Sequence, residues 1–256
     1  MPESTSRGLA FGEIAERYDR FRPGVPAAAL DWLLPAGCAA VVDLGAGTGA
    51  MTRSLVERVP RVVAVEPDPR MREALARGCP DAELVAGTGE DVPLPDGVAD
   101  AVVIAMAWHW MDPARAMPEI ARVLRVGGVL GVLWNHRDLS VPWVADLDRF
   151  TRATRAEALG GVGAAAPTED VVDPRPDPWF APVAERRLSW SMTLTVAELV
   201  GHLGTDASAV ALPAEARTEV DEQVAWYVRD QLGLASNQAV DLPMACRCLR
   251  TVKTGD

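Results

Sequence analysis

Val41-Val42-Asp43-Leu44-Gly45-Ala46-Gly47-Thr48-Gly49 is the stretch that decides the fold. Its first residues belong to an apolar run from Ala39 to Leu44, short enough for a buried strand. Three glycines then alternate with small residues, and a helical pattern follows through Met51, Leu55, Val56 and Val59. Strand, glycine turn and helix open a nucleotide-binding α/β unit. Glycine suits the turn because a side chain would hold a ligand off the backbone, and because glycine accepts positive φ.

Outward from the loop, Arg61-Val62-Val63-Ala64-Val65-Glu66 reads as a second strand ending in an acid. A carboxylate there accepts hydrogen bonds from two ribose hydroxyls. Loop and acid together fit a dinucleotide, with Gly45, Gly47 and Ala50 as its fingerprint, or S-adenosylmethionine equally. Further strands are expected at about 82–86, 100–106 and 129–134. Between them fall a helix opened by Asp68-Pro69 and stopped by Gly78, and another capped by Asp112-Pro113 and ended by Gly127-Gly128. Pro118 sits inside the second helix, where it removes one backbone bond. Alternating strands and helices imply a parallel sheet covered on both faces, with ligands outside the carboxyl ends of the strands.

Residues 1–8 read as a disordered tail. From Leu9, Phe11, Ile14, Ala15 and Tyr18 share one helical face, and Val25-Pro26 opens a second helix through Leu30 and Leu33. Beyond Asn135 a helix is expected over 142–159, a Gly/Ala/Pro-rich loop over 160–178 and a strand over 182–190. Helices over 195–203 and 213–232 and a last strand over 241–252 follow.

The chain has 256 residues, 49% of them apolar, which allows one large globular α/β domain. The net charge of −11 and the lack of any basic run argue against a nucleic-acid partner. No stretch approaches a membrane helix and no signal peptide is visible, so a cytoplasmic location is expected. Cys246 and Cys248, two apart on the last strand, would face one side as core thiols; no Cys or His pair at zinc spacing accompanies them.

Three further runs complete the pattern: Gly87-Thr88-Gly89-Glu90-Asp91-Val92-Pro93-Leu94, Ala107-Trp108-His109-Trp110-Met111-Asp112 and Arg122-Val123-Leu124-Arg125-Val126-Gly127-Gly128. In this order and spacing the set resembles the class I S-adenosylmethionine-dependent methyltransferases. The likeness is strongest to the ubiquinone/menaquinone-type and trans-aconitate-type small-molecule branch, and strongest over residues 9–136. It implies a Rossmann-like fold: a seven-stranded, mostly parallel sheet with an antiparallel last strand, helices on both faces and a helical cap. It also implies one domain over 1–256, with an N-terminal helical cap (9–35), a cofactor-binding core (36–136) and substrate-side helices and last strands (137–256). The cofactor would be S-adenosyl-L-methionine, leaving as S-adenosyl-L-homocysteine. The partner would be a small-molecule acceptor in specialised metabolism, methylated at O, N or C by a monomer or homodimer without metal.

By this resemblance Gly45, Ala46 and Gly47 line the methionine portion, Asp43 supports the loop or reaches the ammonium, and Glu66 holds the ribose. Pro67 and Met71 pack on the adenine, Met71 being equally readable as helix core. Thr88, Gly89 and Glu90 stand where the family has Asp-Ala-Glu, so Asp91 or backbone groups would replace the missing aspartate; Met106 completes the set. The run Tyr18-Asp19-Arg20-Phe21-Arg22-Pro23 matches a segment that folds over the cofactor, which puts Tyr18 and Arg22 beside the acceptor. Tyr18 as a core aromatic is the competing reading.

His109 could serve as general base; a pocket-shaping backbone contact is the alternative, and His136 and His202 have weaker claims. Trp108, Trp110, Trp134 and Trp143, with Asn135, would wall the pocket, though core packing accounts for some of these tryptophans. That aromatic, acidic character leans toward a neutral or cationic acceptor. The family's Asn/Asp-Pro-Pro-Tyr run and the Asp/Asp-Asn set of metal-dependent catechol enzymes are absent. Two other readings stand beside methyl transfer: an NAD(P)-dependent oxidoreductase, which lacks a Tyr-x-x-x-Lys pair because Lys253 is the only lysine, and a cofactor-binding member that transfers no methyl.

Overall fold

A computed structural model describes residues 15–22, 24–161, 178–235 and 238–255. The expected tail over 1–8, the first turns with Phe11 and Ile14, Pro23 and most of the 160–178 loop lie outside the described residues. Seven strands form one sheet: β1 (Ala40–Leu44), β2 (Arg61–Val65), β3 (Glu83–Val85), β4 (Ala99–Ala105), β5 (Leu124–Arg137), β6 (Ala184–Thr195) and β7 (Ala239–Val252). Their order is β3-β2-β1-β4-β5-β7-β6. The first five run parallel, while β7 pairs antiparallel with both β5 and β6. The strand order therefore turns at the β1/β4 boundary, where the expected ligand crevice opens.

The described helices are α1 (Ala15–Phe21), α2 (Ala27–Leu33), α3 (Thr52–Val56), α4 (Pro69–Gly78), α5 (Pro113–Val123), α6 (Pro142–Ala158), α7 (Val196–Leu203), α8 (Ala207–Val210) and α9 (Ala214–Asp230). None is long and apolar enough to cross a membrane. Local chemistry sets their starts. Asp68 and Asp112 accept backbone bonds from Arg70 (2.8 Å) and Ala114 (3.0 Å), each followed by a proline at the first helical position. Thr195 and Glu198 close a reciprocal capping box on α7.

The central strands are apolar on both faces because each face is covered. One layer joins Val42, Val63, Ile104, Val132 and the α5 residues Ala116 and Ile120 with Trp108 and Trp134. The other joins Val41, Val62, Val103 and Leu133 with α2, α3 and the thiols of Cys246 and Cys248, whose sulfurs lie 3.5 Å apart. A third apolar cluster holds α6, α7 and α9 to the paired ends of β6 and β7. Asp100, buried in β4, accepts from the backbone of Ala39 (2.6 Å) and Ala40 (3.0 Å) and pairs with Arg125 (2.7 Å), which fixes where β1 begins.

Two local expectations change. Gly127-Gly128 does not end a helix: α5 stops at Val123, and Leu124 is already extended. The glycines instead absorb a register shift in β5, with Gly127 at φ +79°. Both are bonded to the backbone of Lys253, through Gly127 N (2.9 Å) and Gly128 O (2.8 Å). β6 also runs on to Thr195, because β7 pairs with it residue for residue from Arg250 back to Ala239. Pro118 is accommodated within α5.

A buried ionic cluster ties the carboxyl end of β5 to the helices beyond it. Arg137 pairs with Asp148 (2.7 Å) and Asp206 (3.1 Å), and Arg155 pairs with Asp206 (3.0 Å) and donates to the Leu203 carbonyl (2.6 Å). His202, 2% exposed, sits beside it with Nδ1 3.2 Å from the Phe21 carbonyl, which docks α1 onto α7. Burial pushes the His202 pKa down from 6.5 to about 4, against the pull of Asp206. The neutral ring is thus the form the fold accepts. Its stabilisation is complete above the unfolded pKa of 6.5 and is lost as pH falls toward 4. Denaturant titrations at neutral pH and near pH 4.5 will show the wild type losing about 2 kcal/mol more than His202→Gln over that interval.

Candidate cofactor and acceptor site

The glycine loop leaves β1 with Gly45, Gly47 and Gly49 at φ +75°, +58° and +91°. Gly45 N and Ala46 N both donate to the Val65 carbonyl (2.8 and 3.1 Å), folding the loop against the end of β2. A Cβ on Gly45 would lie 2.6 Å from Ala107 Cβ, a close approach that ties β1 to the end of β4. A Cβ on Gly47 would meet nothing within 4 Å, so this residue borders open space.

Glu66 binds the loop to β2. Its Oε2 accepts from Gly47 N and its Oε1 from Asp68 N, both at 2.9 Å. Burial raises its pKa and these two donors oppose the rise. An ionised carboxylate has about four acceptor directions, so the pair of bonds leaves capacity for ribose hydroxyls. Asp43, 1% exposed, accepts from the Thr52 hydroxyl at 2.6 Å. Desolvation raises its pKa to about 7, Thr52 lowers it and the nearby charge of Glu66 raises it again. Thr52 escaped the sequence analysis; a hydroxyl one helical turn past a glycine loop carries no signal of its own. The Thr48 hydroxyl is buried without a hydrogen-bond partner among the described residues.

Pro67 is exposed at the crevice edge, while Met71 is 4% exposed and belongs to the core, the second of its two readings. On the β3 side, Thr88 N donates to the Asp91 carbonyl (3.0 Å) and the Thr88 hydroxyl accepts from Glu90 N (3.3 Å). Glu90 Oε1 accepts from Asp112 N at 2.7 Å, so this carboxylate ties the β3 loop to the start of α5. Gly89 faces Met111, whose sulfur would lie 2.5 Å from an added Cβ.

At the far end of the crevice, Met106 holds φ +57°, a left-handed backbone rare for a side chain of its size. Its amide donates to the Leu133 carbonyl (3.0 Å) and its sulfur lies 3.0 Å from Asn135 N. Asn135 Nδ2 donates to the Gly24 carbonyl at 3.3 Å, drawing the segment after α1 over the ends of β4 and β5, and its Oδ1 is buried without a partner among the described residues. On that segment Arg22 Nε donates to the Tyr18 hydroxyl (3.0 Å), and its guanidinium lies 5.1 Å from the Tyr18 ring centroid.

His109 stands on a short turn, Trp108–Trp110, with its ring 4.6 Å from that of Trp110. Its side chain is open to solvent although protein crowds the recess around it. Desolvation, then the charges of His136 and Arg22, push its pKa down to about 4. Of the four expected wall tryptophans, Trp108 and Trp134 are 1% and 2% exposed among core side chains. They pack in the apolar layer of the sheet, the core-packing alternative, and Trp143 packs against the apolar cluster of α6, α7 and α9. Trp110 sits beside His109 on the same turn.

A surface depression of about 580 Å³ lies elsewhere, lined by Gly97, Arg125, Trp179 and Lys253 near the start of β5. None of the crevice residues named above borders it.

Residues 42–132 match the family described as "Methyltransferase domain". An uncharacterised methyltransferase of Mycobacterium tuberculosis is 41% identical over 242 residues, covering 94% of this chain and 95% of that one. The demethylmenaquinone methyltransferase of Thermus thermophilus is 34% identical over 139 residues, 48% of this chain and 63% of that one. Among solved structures, a provisionally assigned type II methyltransferase of Anaeromyxobacter dehalogenans has the same fold. Its TM-score is 0.66 at 24% identity, over 91% of this chain and 98% of that one.

Gly45→Ala tests the loop. A methyl group at φ +75° against Ala107 costs about 2 kcal/mol. Thermal denaturation will show the loss, and calorimetry will show adenosine-cofactor binding abolished.

Proposed function

The chain belongs to the methyltransferase family, and on that premise we propose that it moves the methyl group of S-adenosylmethionine to a small-molecule acceptor and releases S-adenosylhomocysteine. The observation that carries the reading is the Glu66–Gly47 hydrogen bond, which joins the acidic end of β2 and the open glycine loop into one platform. The residues fit the cofactor: Gly47 borders open space, Glu66 keeps unused acceptor capacity, and Thr48 holds a buried hydroxyl without a described partner.

Bound there, S-adenosylmethionine supplies a methyl group already activated on a sulfonium, so transfer is an in-line displacement. The protein's tasks are then to hold, orient and exclude water. In this reading Gly45, Ala46 and Gly47 border the methionine portion, Glu66 takes the ribose hydroxyls and Pro67 flanks the adenine. Thr88, Gly89 and Glu90 shape the adenine end through backbone groups, since the Glu90 carboxylate is engaged by Asp112. Met106 holds its strained backbone where β4 meets the acceptor space. His109, neutral at working pH, is able to accept a proton from an acceptor hydroxyl, amine or activated carbon. An oxidoreductase reading finds no support at the chemistry: Lys253, the one lysine, donates to the Leu124 carbonyl at 3.0 Å, at the opposite end of β5.

The test is transfer from isotopically labelled S-adenosylmethionine to a panel of phenols, indoles, amines and carboxylates, read by mass spectrometry. Labelled product is expected; cofactor binding without product from any acceptor would favour a non-methylating member. Glu66→Gln will weaken S-adenosylhomocysteine binding by about tenfold or more, because an amide oxygen cannot serve both backbone donors and the ribose. His109→Ala with undiminished turnover would remove the base role. Asp43 gives a pH signature: a cationic cofactor favours its carboxylate and pulls its pKa below about 7. Binding near pH 7 will therefore release protons, seen in calorimetry across buffers of different ionisation enthalpy, and Asp43→Asn will abolish the release.

A further inference from the structure

Arg22, half-buried, reaches the Tyr18 hydroxyl and ring but has no carboxylate partner among the described residues. Four arginines on the surrounding elements do have one: Arg17 with Asp221, Arg53 with Asp19, and Arg137 and Arg155 with Asp206. His109 stands within electrostatic range of both Arg22 and His136. The bond from Asn135 to the Gly24 carbonyl holds the Arg22 segment over the ends of β4 and β5, next to the His109 turn. A bound sulfonium would add one more positive charge to the same space.

We propose that Arg22 is the binding group for an anionic acceptor, one bearing a carboxylate, held by Arg22 with His109 and His136 beside it. The inference rests on the methyltransferase reading and deepens it. It also reverses the lean toward a neutral or cationic acceptor, which drew on the chain's acidic character and on a tryptophan wall, whereas Trp108 and Trp134 are buried among core side chains. A guanidinium matches a carboxylate with two parallel hydrogen bonds, stronger than those between neutral groups. With Nε donated to Tyr18, the terminal nitrogens of Arg22 are the ones that face this task.

The test uses the full chain saturated with S-adenosylhomocysteine. Matched probes are titrated by calorimetry: phenylacetate against phenylacetamide, cinnamate against cinnamamide, octanoate against octanamide, with tryptamine as the cation. At least one acid is expected to bind about tenfold or more tightly than its amide. Arg22→Gln is expected to erase that preference and Arg22→Lys to keep part of it, with S-adenosylhomocysteine affinity and melting temperature unchanged in both. No acid preference in any pair, tighter binding of tryptamine, or an acid preference that survives Arg22→Gln would each overturn the proposal. Failure of the wild type to bind S-adenosylhomocysteine would instead overturn the methyltransferase reading.

Discussion

A carboxylate withdrawn from water must find donors, and in this fold Glu66 finds them in the two backbone turns that follow β1 and β2. Gly47 N–H on one side and Asp68 N–H on the other converge on it. The glycine loop, the end of β2 and the start of α4 are thereby one object. Positive φ at three alternating glycines lets the loop curl onto the Val65 carbonyl, and the curl presents the Gly47 amide to Glu66. Removing either the glycine freedom or the acid leaves the other buried group without its partner, a cost that falls on folding and on ligand binding together.

Beyond β5 the helices are held by charge as well as by the apolar cluster on β6 and β7. Arg137, Arg155, Asp148 and Asp206 form a cluster largely out of solvent, and each buried charge there has an opposite charge in contact. Such clusters add little net stability over apolar packing but penalise any arrangement that separates the partners. Their effect is to fix α6, α7 and α8 in a single position over the carboxyl end of the sheet. His202 and the Arg17–Asp221 pair extend that fixation to α1. The helix carrying Tyr18 is thus held by the far half of the chain, through contacts between residues 181 and 204 positions apart.

The alternation of apolar runs and capped helices from Ala39 to Trp134 placed β1 to β5 and α3 to α5 in the right order, because parallel strands buried on two faces leave an unbroken apolar signature. The glycine loop and Glu66 were readable for the same reason: their residue types are forced by backbone conformation and by a buried strand end. Gly127-Gly128 misled, since glycine marks a helix stop and a strand irregularity alike, and only the pairing with Lys253 tells them apart. The tryptophans misled in another way. An indole at a strand end suits a pocket wall and a core equally, and burial, not sequence, separates Trp108 and Trp134 from Trp110. The motif around Arg22 led to the expectation of a pocket residue, but its lack of a carboxylate partner among the described residues depends on where distant acids point, which no local pattern records.

β6 and β7 pair without interruption up to Thr195 opposite Ala239, and the whole insert of α7, α8 and α9 departs and returns at that one rung. Such an insert has a single doorway. Exchanging it for that of a relative requires two cuts that sit side by side in space and leaves every strand in register. The insert of α7, α8 and α9 is therefore exchangeable as a unit while the sheet built around Glu66 stays fixed, which makes this rung the natural splice point for chimaeras.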